Sequence, residues 1–193
     1  MANLGLKAVH RRERWYRMRY TTALPGLIIR DAVEQDVPLI LSFIRELAVY
    51  EKMLDDVVAT EDGLKEHLFG ERRVAEVLIA EWEGAPVAFA LFFHNFSTFL
   101  GRPGIYLEDL YVKPEMRGKG IGKAMLSHIA NIAKKRGCGR FEWSVLDWNE
   151  PAITFYRSIG AVAMDEWEHF RLNGEALETV AEMCTPENVY PKQ

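Results

Sequence analysis

The sequence predicts an α/β domain built on a mixed, mostly antiparallel sheet with helices on its faces. Three observations predict it. Apolar residues recur with the strand period in some segments and the helix period in others, in the order β-α-α-β-β-β-α-β-α-β-β. The middle strands follow one another through short turns, as an antiparallel meander does. A strand ending at Val112 and a strand starting at Arg140 are separated by a helical segment, long enough for a crossover. The chain has 193 residues, 49% of them hydrophobic and 27% charged, which suits one globular domain rather than a disordered chain.

Leu27–Arg30 is a short β-rich run. Apolar positions 37, 40, 41, 44, 47 and 48 then follow helical spacing, with Asp36 placed to cap the helix and Pro38 in its first turn. Thr60 caps a second helix running to Phe69, and Gly70 ends it. Ala75–Trp82 and Val87–His94 are strands joined by the turn Glu83–Pro86, and Ile105–Val112 is the next strand. Gly120–Arg136 is a helix with apolar residues at 121, 125, 129 and 132, and His128 on the same side. Arg140–Leu146 is a strand. Glu150–Ile159 is a helix with Pro151 in its first turn and Gly160 at the position after its end. Ala161–Ala163 and Glu168–Leu172 read as final strands, and Glu175–Met183 as a last helix.

The formal charge of −4 hides an asymmetry. Residues 1–26 carry six basic side chains and one acid, so the +5 there leaves −9 for residues 27–193. The first 26 residues are expected to be a flexible arm, with a targeting-like segment or sequence upstream of a start at Met18 as alternatives. Residues 27–183 form the domain and 184–193 a tail. The acidic domain argues against nucleic-acid binding and suits a cationic substrate. Two distant cysteines form no disulfide framework or zinc pair, so a reduced, cytoplasmic setting is the default. The longest apolar run, Val87–Phe93, is far below the ~18 residues that span a bilayer, so no membrane association is expected. The five histidines show no zinc or triad spacing, and no metal is implied.

The most informative run follows the strand ending at Val112. Arg117-Gly118-Lys119-Gly120-Ile121-Gly122-Lys123 places glycines and lysines at a helix N-terminus, where unpaired N–H groups and the helix dipole favour an anion such as a pyrophosphate. The spacing fits neither G-x-x-x-x-G-K-[ST] nor G-x-G-x-x-G. It fits [R/Q]-x-x-G-x-[G/A], and so resembles the acetyl-CoA pyrophosphate loop of the GNAT acetyltransferase superfamily. Leu47-Ala48-Val49-Tyr50-Glu51, Tyr106-Leu107-Glu108-Asp109-Leu110-Tyr111-Val112, Val145-Leu146-Asp147-Trp148-Asn149-Glu150-Pro151-Ala152 and Phe155-Tyr156 extend the resemblance to the diamine branch, which holds spermidine/spermine and thialysine acetyltransferases. It covers roughly residues 27–180. Ser97-Thr98-Phe99-Leu100-Gly101-Arg102 leans toward the thialysine type, because spermidine-type members carry an acid where Ser97 stands.

The resemblance implies the GNAT acyl-CoA N-acyltransferase fold, acetyl-CoA as cosubstrate, a small cationic amine as acceptor, and a homodimer pairing through C-terminal strands. It implies Glu108 as the base or water relay on the amine, and Tyr156 as the general acid for the departing thiolate. Asp109 is expected as an auxiliary charge. Strand alternation puts Glu108 and Asp109 on opposite faces unless a bulge intervenes. The cofactor is expected on the backbone of Leu110, Tyr111 and Val112, on Arg117, Gly118, Lys119, Gly120, Ile121, Gly122 and Lys123, and on Asn149, Ala152 and Tyr156. The amine is expected among Tyr50, Glu51, Glu108, Asp109, Trp148 and Glu168. A GNAT enzyme for another amine (an amino acid, an antibiotic or a protein lysine) and a non-catalytic acetyl-CoA sensor are the alternative readings.

Overall fold

Six strands form one sheet in the order β1-β2-β3-β4-β5-β6 in the computed structural model, which describes residues 19–183. The strands are β1 (Arg19–Thr21), β2 (Leu27–Asp31), β3 (Glu76–Trp82), β4 (Ala85–Ser97), β5 (Arg102–Val112) and β6 (Phe141–Trp143). All neighbours are antiparallel except β5 and β6, which are parallel and joined by α3 (Ile121–Lys135). Helices α1 (Val37–Glu51) and α2 (Glu61–Phe69) cover one face. There Ile40, Phe43, Leu47 and Leu68 pack on Val77, Phe89 and Tyr111, with the Phe43 and Phe89 rings stacked at 5.5 Å. α3 covers the other face through Ile121, Met125, Leu126 and Ile129, all buried.

The described residues divide into two compact units, one reaching to Ser144 and one starting at Val145. The second contains α4 (Glu150–Ser158) and α5 (Gly174–Glu182). α4 ends as the sequence predicts: Gly160 has φ +87°, Ala161 N–H donates to Tyr156 O at 3.1 Å, and Gly160 N–H donates to Arg157 O at 3.1 Å. That paired closure satisfies carbonyls the helix leaves open, and it needs a residue tolerant of positive φ.

Several expectations are corrected. The β4–β5 hairpin is longer than Val87–His94 and Ile105–Val112, because pairing continues to Ser97 opposite Arg102. The strand expected at Arg140–Leu146 keeps only Phe141–Trp143, since its partner β5 changes course after Leu107. Ala161–Ala163 and Glu168–Leu172 form no strand: their backbone finds no ladder among the described residues, and a strand is stable only when its N–H and C=O groups are paired. β1 lies within the stretch read as an arm. It is held by pairing with β2 and by Arg19 Nη2 on Glu81 Oε2 at 2.9 Å. The rest of the expected arm and the tail from residue 184 lie outside the described residues.

Thr60 caps α2 as expected, its Oγ1 accepting from Gly63 N–H at 3.2 Å. Asp36 occupies the N-cap position of α1 without capping it. Its carboxylate instead accepts from both terminal nitrogens of Arg30, at 2.6 and 2.9 Å, and from Val33 N–H at 2.8 Å. Arg30 is buried, and its Nε donates to Glu81 Oε1 at 2.6 Å. A charged guanidinium so placed is tolerable because every side of it meets a carboxylate or carbonyl.

Candidate active site

β5 carries the local irregularity from which the site is built. Its register with β4 pairs Leu107 with Phe92 and Asp109 with Leu91, so Glu108 is an extra residue, a β-bulge. The faces follow from the partners. Tyr106 lies opposite Phe93, Asp109 opposite Leu91 and Tyr111 opposite Phe89, all on the α1 side. Leu107 and Val112 lie on the α3 side, where Val112 approaches Gly122. The bulge therefore turns Glu108 and Asp109 to the same side, the exception that simple alternation allows for. The sequence carried a signal for it: the aliphatic positions 105, 107, 110 and 112 change parity at Glu108.

The two carboxylates sit in different surroundings. Glu108 is exposed, and Asp109 is half-buried. Burial, then the negative charges of Glu108 and Glu51, push the Asp109 carboxyl up to about 6. Glu51, the last residue of α1, is itself raised by burial. These three carboxylates thus converge from the end of α1 and the bulge of β5, and they favour a cation or a proton between them.

Beyond the bulge β5 has a free edge among the described strands. β6 pairs with β5 only through Ile105–Leu107. Lys113 N–H donates to Val87 O at 2.9 Å, which sets the phase of the β4–β5 ladder. By alternation Tyr111 directs its N–H and C=O toward Phe89, whereas Leu110 and Val112 direct theirs to the open edge. Of the three backbones expected to hold the pantetheine arm, two face that edge; Tyr111 contributes its side chain to the core instead. Its hydroxyl is pushed up to about 12 by burial and by Glu46 beside it.

The loop after β5 leads into α3 through Gly118 (φ +76°) and Gly120 (φ +83°), conformations in which a side chain is strained. Gly120 is the N-cap, and no side chain caps the helix, so the N–H groups of Ile121, Gly122 and Lys123 are presented at its positive end. Lys119 and Lys123 flank it. Arg117 Nε donates to Val112 O at 3.0 Å, and its guanidinium lies 4.4 Å from the centre of the Tyr50 ring. The donor set suits a pyrophosphate at the helix and an amide-bearing chain along the edge.

Sequence reasoning missed the contact of Tyr50 with Arg117, because residues 67 positions apart leave no local trace. Ser97 does not belong to this cluster in the chain. It is buried, and its Oγ accepts from Leu100 N–H at 3.2 Å in the hairpin turn. Six residues along β4 from Leu91, it stands roughly 20 Å from the carboxylates.

The second unit holds the remaining expected residues. Asn149 is the N-cap residue of α4, and its side chain does not cap the helix. Ala152 and Tyr156 follow on α4; the Tyr156 ring centre is 5.6 Å from that of Phe155. Trp148 is about half exposed (46%) just before the helix, and Glu168 is exposed outside any regular element. No cluster of His, Cys, Asp and Glu suited to a metal occurs among the described residues, and none of their helices is long and apolar enough to cross a membrane.

The model of the acetyltransferase (GNAT) family matches residues 44–161. A thialysine N-epsilon-acetyltransferase of Sus scrofa is 41% identical over 169 residues, covering 82% of this chain and 99% of the relative. An L-ornithine N5-acetyltransferase of Arabidopsis thaliana is 33% identical, covering 79% and 86%. Among solved structures, an integron cassette protein of V. cholerae aligns with a TM-score of 0.69 at 28% identity, covering 81% of this chain and 98% of that one.

Proposed function

Since the chain belongs to the GNAT family and is an N-acetyltransferase, we propose that it moves an acetyl group from acetyl-CoA to the primary amine of a small cationic acceptor, a thialysine-like amino acid or a diamine. The observation that carries this reading is the carboxylate cluster of Glu51, Glu108 and Asp109 beside an open strand edge and an uncapped helix N-terminus. The thialysine and ornithine specificities of the relatives support an acceptor with two amino groups.

An alkyl ammonium has a pKa near 10, so about one molecule in a thousand is neutral at pH 7, and recovering the free amine costs about 4 kcal/mol. The cluster attracts the cation and accepts its proton. Asp109, raised to about 6, is matched to proton transfer near neutrality, and exposed Glu108 passes the proton to water. The amine nitrogen bonds to the thioester carbonyl carbon and gives up its second proton to water, the carbon–sulfur bond breaks, and the thiolate takes a proton. Tyr156 is the proposed donor of that proton. Leu110 and Val112 bind the pantetheine amides along the strand edge, with Asn149 and Ala152 as further contacts. Ile121, Gly122 and Lys123 hold the pyrophosphate with Arg117, Gly118, Lys119 and Gly120. Trp148 and Glu168 are proposed for the amine.

A homodimer belongs to the same reading. No side chain from Val145 to Met183 is fully buried, and Val162, Trp167, Phe170 and Leu177 are exposed. A second copy would cover such a surface and offer residues 161–163 and 168–172 a strand partner not found among the described residues.

The test is release of CoA thiol with thialysine, lysine, ornithine, putrescine, spermidine and an aminoglycoside. Turnover concentrated on thialysine, ornithine or the diamine supports the reading. Turnover only with the aminoglycoside redirects it to another amine. Tight acetyl-CoA binding without turnover on any of them makes the chain a sensor.

A further inference from the structure

Residues 50 and 51 end α1 side by side yet serve different neighbours. Glu51 joins the carboxylate cluster through its charge on Asp109, whereas Tyr50 meets Arg117. Arg117 begins the glycine-rich loop. It is exposed to solvent, with a long side chain that would otherwise sample many rotamers. Two contacts restrict it. Its Nε donates to Val112 O at 3.0 Å, and its guanidinium lies 4.4 Å from the Tyr50 ring centre, with the Tyr111 ring centre farther away at 5.8 Å. Tyr50 is in turn packed against the core cluster of α1, α2 and the sheet, so it is an anchored surface rather than a free side chain. A planar guanidinium on an aromatic face is attracted by the ring's quadrupole and aligned with it.

We infer that Tyr50 is a positioning residue for the acetyl-CoA loop, acting through Arg117, rather than a wall of the amine pocket. This rests on the assignment of residues 117–123 to acetyl-CoA. The ring fixes the arginine before the ligand arrives, so the entropy of ordering that side chain is not lost on binding. The same helix end presents Glu51 to the ammonium. A shift of the α1 terminus therefore touches both substrates, which makes their binding interdependent and, by linkage, reciprocally so.

The test measures CoA affinity by calorimetry without amine, together with the KM values for acetyl-CoA and amine. Tyr50→Leu is expected to weaken CoA binding about five-fold, the size of an exposed cation–π contact. Its KM for acetyl-CoA should rise by a similar factor, while the amine KM moves less. Tyr50→Phe, which keeps the ring, should restore affinity. Arg117→Met lies at an exposed position and tests the pair from the other side: in its presence Tyr50→Leu should have no further effect on CoA. Full additivity of the two, or a Tyr50→Leu that raises the amine KM with CoA affinity intact, overturns the inference. If Tyr50→Leu fails to fold, Tyr50→Phe and Tyr50→Met in the same cycle decide it by the same criteria. Failure of the parent chain to bind CoA at all would refute the function proposed above, a distinct outcome.

Discussion

Asp109 and Arg30 are charged residues with opposite effects on stability. Burial and two neighbouring carboxylates raise the Asp109 carboxyl from 3.8 to about 6. The folded state therefore holds that proton more tightly than the unfolded chain, and stability falls as pH rises between those values. Ionising Asp109 costs up to about 3 kcal/mol. Asp109→Asn should raise the unfolding free energy above pH 6, by an amount of that order or less, and change it little below the unfolded value. Urea melts at two pH values check this. The same substitution should abolish the rise of kcat/KM with pH near 6. Arg30 works the other way. Its guanidinium neutralises Asp36 and shares Glu81 with Arg19, so Arg30→Met removes the ion-pair partner of Asp36 and one of the two partners of Glu81, and should cost about 3 kcal/mol. This pairing was not legible in the sequence. Asp36 reads as a helix cap, and only the fold brings Arg30 and Glu81, 51 residues apart, onto neighbouring strands.

At the scale of elements, the segments with strong local signals were legible: the hairpin of β3 and β4, the amphipathic α3 with its glycine loop, the Thr60 cap and the Gly160 stop. What was not legible depended on partners. β1 is three residues long, and the segments 161–163 and 168–172 have strand-like composition and no paired strand among the described residues. The bulge lay between these cases, visible as a parity change and allowed for as the exception to alternation, but not placed. It gives a sharp prediction. Excising Glu108 leaves Leu107, Asp109, Leu110, Tyr111 and Val112 facing as they do now, in an uninterrupted ladder. The shortened chain should fold with an undiminished melting temperature and lose activity more completely than Glu108→Gln. Loss of folding would show instead that the bulge is required by the sheet. At the start of α3, Gly120→Ala forces a side chain into φ +83° and should cost about 1 kcal/mol. It should also weaken CoA binding, measured by titration.

For the whole molecule, charge is divided by role. The formal −4 combines a basic stretch before residue 27 with an acidic remainder, and within that remainder Arg117, Lys119 and Lys123 gather around one helix end. The proposed cationic acceptor would be steered by the field of an acidic domain, so kcat/KM for a dication should fall as salt is raised, more steeply than for a monocation. Steady-state assays across ionic strength check this.

The open edge of β5 has one more consequence. An unpaired strand edge is a template on which foreign chains can add, and proteins commonly blunt such edges. Among the described residues, the groups at that open edge belong to Leu110 and Val112, and Arg117 already occupies the Val112 carbonyl. Two residues are too few to recruit a polypeptide strand and enough for the amides of a small molecule. On the proposed reading, the shortness of the gap acts as a size filter, with room for the pantetheine amides and too little for a whole strand.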